Sequence, residues 1–160
     1  MSIGMSTTQL RQHIRASRAL VYGALLDAED RAAWMVPDGM TSEVHRFDAR
    51  EGGAFRISLT YRDDDNAGKS GAHTDTFHGH FVALIPDHRV VERTEFETDD
   101  PAMQGEMTLT YTLTDVDGGT DVVLLHEGLP AGVAVADNEE GSRMSLAKLA
   151  KLVEARASTT

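Results

Sequence analysis

Between Met107 and Thr114 every second residue is a threonine. Met107, Leu109, Tyr111 and Leu113 alternate with Thr108, Thr110, Thr112 and Thr114. A period of two places the apolar set on one face of a β-strand and the threonines on the other. Such a strand belongs in an antiparallel sheet with one face covered and one face wet. Two more segments repeat the pattern. Phe55, Ile57, Leu59 and Tyr61 alternate with Arg56, Ser58, Thr60 and Arg62, and Val122, Leu124 and His126 share a face opposite Val123, Leu125 and Glu127. A sheet of this kind needs a cover. The C-terminal segment supplies it, with Leu146, Leu149 and Val153 at helical spacing and Lys148, Lys151 and Glu154 outward.

The other elements follow from caps and turns. Residues 8–16 read as a first strand, with Leu10, Gln12 and Ile14 in one phase. Ser17 and Asp27 are N-cap residues for two short helices, the second running to Met35 and ended by Pro37 and Gly39. Strands are expected at 41–48, 75–84 and 89–97, with a hairpin turn at Glu51-Gly52-Gly53 and a second turn at 85–88. Residues 63–73 form a polar loop, and Asp117-Gly118-Gly119 turns the chain again. Asp137 is the expected N-cap of the last helix. The predicted fold is α+β, a curved six-stranded antiparallel sheet wrapped around a long C-terminal helix, with two short helices after the first strand. One domain spans 8–156, with short tails at 1–7 and 157–160.

Composition narrows the function. Of 160 residues, 41% are hydrophobic and 26% charged, the balance of an ordinary globular domain. Fifteen Lys+Arg against 26 Asp+Glu give a formal charge of −11. That field opposes a phosphate backbone and an anionic membrane surface, so neither nucleic acid nor membrane is an expected partner. The absence of cysteine removes disulfides, thiolate metal sites and a Cys nucleophile. No apolar run approaches the roughly 18–20 residues of a spanning helix. Residues 1–9 lack the basic and apolar regions of a secretory signal. The expectation is a cytoplasmic protein of bacterial type.

Several short motifs appear in a definite order. Ala16-Ser17-Arg18 through Leu25 leads from strand to helix, and Trp34 precedes a Pro-containing loop. Asp48, Arg50, Gly52-Gly53 and Phe55 form a D-x-R-x-G-G-x-F hairpin. Gly79 to Pro86 is followed by Arg89-Val90-Val91, and Gly119-Thr120-Asp121-Val122 runs on to His126 and Gly128. In this order they resemble the START-like (SRPBCC, helix-grip) superfamily, and within it the domain related to the C-terminal half of the activator of Hsp90 ATPase. The resemblance covers about residues 8 to 156. It implies a sheet wrapped round the last helix with a cavity between them. It also implies a tryptophan early in the last helix and another at the end of the fifth strand. This chain has Gly141-Ser142 and Arg93-Thr94-Glu95-Phe96 there, which implies a pocket that is wider, wetter or filled from elsewhere.

The candidate inner-face residues are Phe55, Ile57, Leu59, Tyr61, Met107, Leu109, Tyr111, Val122 and Leu124, either as plain core or as walls of a ligand cavity. Trp34, Phe81, Leu146 and Leu149 complete the apolar set. His126, in phase with Val122 and Leu124, points inward as a hydrogen-bonding anchor, a general base or a satisfied structural histidine. Glu92 faces inward if Val90 does; the opposite phase, Val91-Arg93-Glu95, is equally consistent with alternation. His78 and His80 share a strand face and with His45 or His126 offer a weak metal motif, against a solvent-facing reading. The run from Asp63 to Gly68 resembles a calcium loop but fails at Ala67 and at Thr74. No metal or other cofactor is expected.

Three functions remain open. The leading one is binding of a small hydrophobic or aromatic molecule between sheet and helix. The second is a cyclase, lyase or hydrolase using His126 or Glu92 as general acid/base. The third, implied by the resemblance alone, is a chaperone partner in a stress response. A homodimer through an exposed sheet edge or the polar loop is also left open.

Overall fold

The computed structural model describes residues 6–62 and 74–158. The polar loop at 63–73 and its calcium-like run lie outside the described residues, as do the ends of both tails. The elements run β1 (Ser6–Ile14), α1 (Arg18–Leu25), α2 (Ala28–Trp34), β2 (Met40–Phe47), β3 (Ala54–Tyr61), β4 (Thr74–Ile85), β5 (Arg89–Phe96), β6 (Met107–Val116), β7 (Gly119–Leu129) and α3 (Val135–Ala157). A short 3-10 turn, Pro101–Met103, sits between β5 and β6.

The sheet has seven strands in the order β1-β7-β6-β5-β4-β3-β2, all pairs antiparallel. The expected number was six. The opening strand joins the six-strand meander by pairing with β7, from Ser6 opposite Leu129 to Ile14 opposite Thr120. Without it, β7 would be an edge strand with unsatisfied backbone groups. The junction is pinned by Thr120, whose hydroxyl donates to the Ala16 carbonyl at 2.7 Å.

Local chemistry sets the element ends. Ser17 Oγ accepts from the Leu20 amide at 3.2 Å and Asp27 Oδ1 from the Asp30 amide at 3.0 Å, so both expected caps are present. The cap of α3 differs from the expectation. The helix starts at Val135 after Ala134, with no side-chain cap bond, and Asp137 lies in the first turn. Its carboxylate there complements the helix dipole.

Strand β4 carries apolar residues in both phases because its register with β5 shifts between Phe81 and Ala83. Phe77 and Phe81 are buried, whereas Val82 past the shift is 40% exposed. Gly79 on this strand sits against β5 so closely that a Cβ would overlap the Arg93 carbonyl oxygen.

The core lies between the concave sheet face, α1 and α3. Ile14, Val21, Leu25, Phe81, Val90 and Val122 are fully buried there, with Leu149 and Val153 from α3. Toward its middle, α3 is tied to the loop after α2. Lys148 Nζ donates to the Val36 carbonyl at 2.5 Å and pairs with Asp38 at 3.1 Å.

Candidate functional site

The N-terminal half of α3 does not close on the sheet. A cavity of about 570 Å³ lies between them, within the range of small-molecule sites. Leu59, Tyr61, Met107, Leu109, Tyr111, Leu124 and His126 border it from the sheet, Trp34 from α2 and Leu146 from α3. The remaining candidates sit elsewhere. Phe55, Ile57, Phe81 and Leu149 are buried core outside the cavity wall, and Glu92 is buried but does not border it.

The void has a local cause. Beside Met144 and Leu146, the α3 wall includes Asn138, Gly141, Ser142 and Ser145, all small or polar. Across from it, Thr94 also borders the cavity and satisfies its hydroxyl on the His78 carbonyl at 3.0 Å. Periodicity alone did not mark one further feature. All the methionines among the described residues (Met35, Met40, Met103, Met107 and Met144) line this space. Thioether side chains are flexible and polarizable, so a wall built from them adapts to varied apolar shapes.

His126 faces inward, as its phase predicts, and is 7% exposed. Its Nε2 lies 3.2 Å from Met107 Sδ, and its Nδ1 lies 3.4 Å from the Asn138 amide nitrogen. Burial pushes its pKa down to about 4, because a charged imidazole would lose its water without gaining a counter-charge. The ring is therefore neutral around pH 7.

Glu92 also faces inward, with Val90 and Thr94, which resolves the two open phases of β5. Its partner is Arg31 of α2, a residue the sequence reading missed. Arg31 Nη2 donates to Glu92 Oε2 at 2.5 Å and Nη1 to Oε1 at 3.3 Å, and both side chains are 2% exposed. Arg31 Nε and Nη2 also donate to the Leu25 carbonyl, at 3.2 and 2.8 Å. The guanidinium lies 5.2 Å from the Trp34 ring centroid, 5.4 Å from Phe47 and 5.9 Å from Tyr111. Burial disfavours the charge on Arg31, but the Glu92 carboxylate outweighs it and the pKa is raised. Trp34 is held from a second side, its indole N–H donating to the Ala24 carbonyl at 2.9 Å. Two aromatic walls of the cavity thus rest on a buried ion pair. One signal pointed to it: an inward carboxylate needs a cation, and Arg31 is one helical turn before the buried Trp34.

A family model described as "Activator of Hsp90 ATPase homolog 1-like protein" matches residues 15–154. The chain belongs to this family. Solved structures share the START-like fold. A Chromobacterium violaceum protein, CV1439, is 30% identical, with a TM-score of 0.82 over 92% of this chain and 96% of that one. The Mll3558 protein from Rhizobium loti is 27% identical, with a TM-score of 0.70 over 92% and 96%. A Rhodobacter sphaeroides protein at 20% identity and TM-score 0.77, covering 94% and 93%, shares the fold. No curated protein matches the sequence.

Within the AHSA1 framework, Ser142 and Thr94 stand where the resemblance implies tryptophans, and both border the cavity. Of the histidines read as a weak metal motif, His78, His80 and His45 lie apart from the cavity and from His126. His78 Nδ1 and Nε2 sit 3.0 Å from Glu97 and 3.1 Å from Glu95, and His45 bonds Glu43 and Ser58. His80 is exposed. Glu97, also held by both nitrogens of a bidentate Arg56, has its pKa lowered to about 2. Among the described residues no group of three or more His, Cys, Asp or Glu is arranged to hold a metal ion. No described helix is long and apolar enough to cross a membrane.

Proposed function

We propose that this protein binds a small, largely apolar or aromatic molecule between its sheet and its C-terminal helix. The observation that carries this reading is the cavity itself, about 570 Å³ of space walled by aromatic, aliphatic and methionine side chains. The space is partly open to water, and an apolar occupant takes its apolar wall out of water. His126 contributes a polar anchor on an otherwise mostly apolar wall. The general acid/base alternative has weaker support. Glu92 is committed to Arg31 and stands off the cavity wall, so the two candidates do not reach one substrate atom. A histidine with a pKa of about 4 is a weak base at neutral pH. The chaperone reading in the family description has no comparable support from this geometry.

The test is titration with N-phenyl-1-naphthylamine, an uncharged fluorescent probe, against wild type and Ser142→Trp. Wild type is expected to bind saturably with one site. The indole introduced at position 142 fills the void and weakens binding at least tenfold. Non-saturable wild-type fluorescence, or equal binding by the Trp variant, overturns the proposal.

A further inference from the structure

The polar contacts around His126 determine which of its nitrogens carries the proton, and that decides what kind of ligand it suits. Thr8 Oγ1 donates to Asn138 Oδ1 at 2.9 Å. With its oxygen taken, Asn138 offers an N–H to His126 Nδ1, 3.4 Å away. Nδ1 is then the acceptor, and the single proton of the neutral ring sits on Nε2. That N–H points at Met107 Sδ at 3.2 Å. The reverse assignment, with the amide turned over and the proton on Nδ1, sets the Nε2 lone pair against the lone pairs of the thioether. The short N···S contact therefore favours the first. A buried N–H whose acceptor is a thioether is poorly satisfied, because sulfur is a weak acceptor. His126, Met107 and Asn138 all border the cavity.

The charges on the wall add a second constraint. Its formally charged side chains, among the described residues, are Asp38, Asp75, Asp137 and Glu140, with no Lys or Arg. The nearby cations Lys148 and Arg143 face Asp38 and Glu140, at 3.1 and 3.2 Å. Among the described residues, an anionic ligand group entering the cavity meets Asp38, Asp137 and Glu140 and no Lys or Arg on the wall.

Resting on the ligand-binding reading above, we propose that His126 Nε2–H is the ligand-recognising donor. The cavity then selects uncharged apolar molecules with a carbonyl or similar acceptor oxygen over plain hydrocarbons and over carboxylates. The oxygen displaces the Met107 sulfur as the acceptor, and the methionine side chain moves aside. Thr8 and Asn138 act as positioning residues that hold the donor tautomer.

Three probes of nearly equal shape test this by calorimetry: 2-acetonaphthone, 2-ethylnaphthalene and 2-naphthoate. The ketone is expected to bind about fivefold tighter than the hydrocarbon, the advantage of one net hydrogen bond. The naphthoate is expected to bind weakest. His126→Leu is expected to erase the difference between ketone and hydrocarbon. Nitrogen-15 NMR of the unmodified protein reads the tautomer independently, with the proton expected on Nε2. Equal affinity for ketone and hydrocarbon, tightest binding by the carboxylate, or a proton on Nδ1 overturns the proposal while leaving the ligand cavity standing. If none of the three probes binds, the ligand-binding reading fails and this one with it.

Discussion

Arg31 and Glu92 are charged residues with 2% side-chain exposure, inside a core of aromatic rings. Removing one partner leaves the other charge buried and uncompensated, which costs about 3–5 kcal/mol. Glu92→Gln is therefore expected to lower unfolding free energy by that amount in urea denaturation. The double variant Arg31→Met/Glu92→Leu is expected to lose much less than the two single losses summed, and strict additivity would contradict the pairing. His126 governs the acid side. Unfolded, it titrates near 6.5; folded, near 4. Between those values the unfolded chain binds a proton that the native chain does not, so stability falls as pH drops from about 6.5 to 4. The loss from this residue is up to roughly 3 kcal/mol. Denaturation midpoints across that range should slope less in His126→Leu than in wild type, and identical slopes would remove His126 from the acid response. The inward direction of His126 was legible because Val122 and Leu124 share its phase. That of Glu92 was not, because both phases of β5 mix apolar and charged residues. Its partner lies 61 positions away, in a helix where Arg31 reads as surface.

At the scale of elements, the alternating strands and the two short capped helices were readable because their signals are local. Period-two runs, Ser17, Asp27 and paired glycines each act within a few residues. Non-local effects were harder to see. The shift at Phe81/Ala83 depends on how β4 meets β5, and the pairing of β1 depends on β7 lacking another neighbour. Gly79 shows why a motif glycine is required by packing and not by turn geometry. It pairs with Thr94 in mid-strand, where the chains approach too closely for a Cβ. Gly79→Ala is expected to force β4 and β5 apart and destabilise the domain by about 1–3 kcal/mol, as overpacking does. Equilibrium denaturation measures it, and a neutral result would mean that the two strands separate at little cost. Because Thr94 borders the cavity, the same variant should also disturb probe binding.

For the molecule as a whole, the cavity was legible only through the family resemblance and not through periodicity, since a void is where side chains fail to meet. Ser142 on α3 and Thr94 on β5 are ordinary residues on their own elements. Their smallness matters only because the curved sheet brings them to opposite walls of one space. The order of the strands carries a different consequence, for the time at which the fold can complete. Strand β1 is made first, yet its neighbour β7 begins at Gly119, more than 100 residues after Ile14. At roughly 5–20 residues per second, a ribosome holds the finished first strand without its partner for about 5–20 seconds. Helices α1 and α2 assemble meanwhile, but the sheet stays open on that side until the C-terminal third emerges. The leading segment, Ser6–Ile14, waits as a polar strand with a serine, two threonines, two glutamines, an arginine and a histidine among its nine residues. That composition keeps an unpaired strand in water from seeking the wrong neighbour.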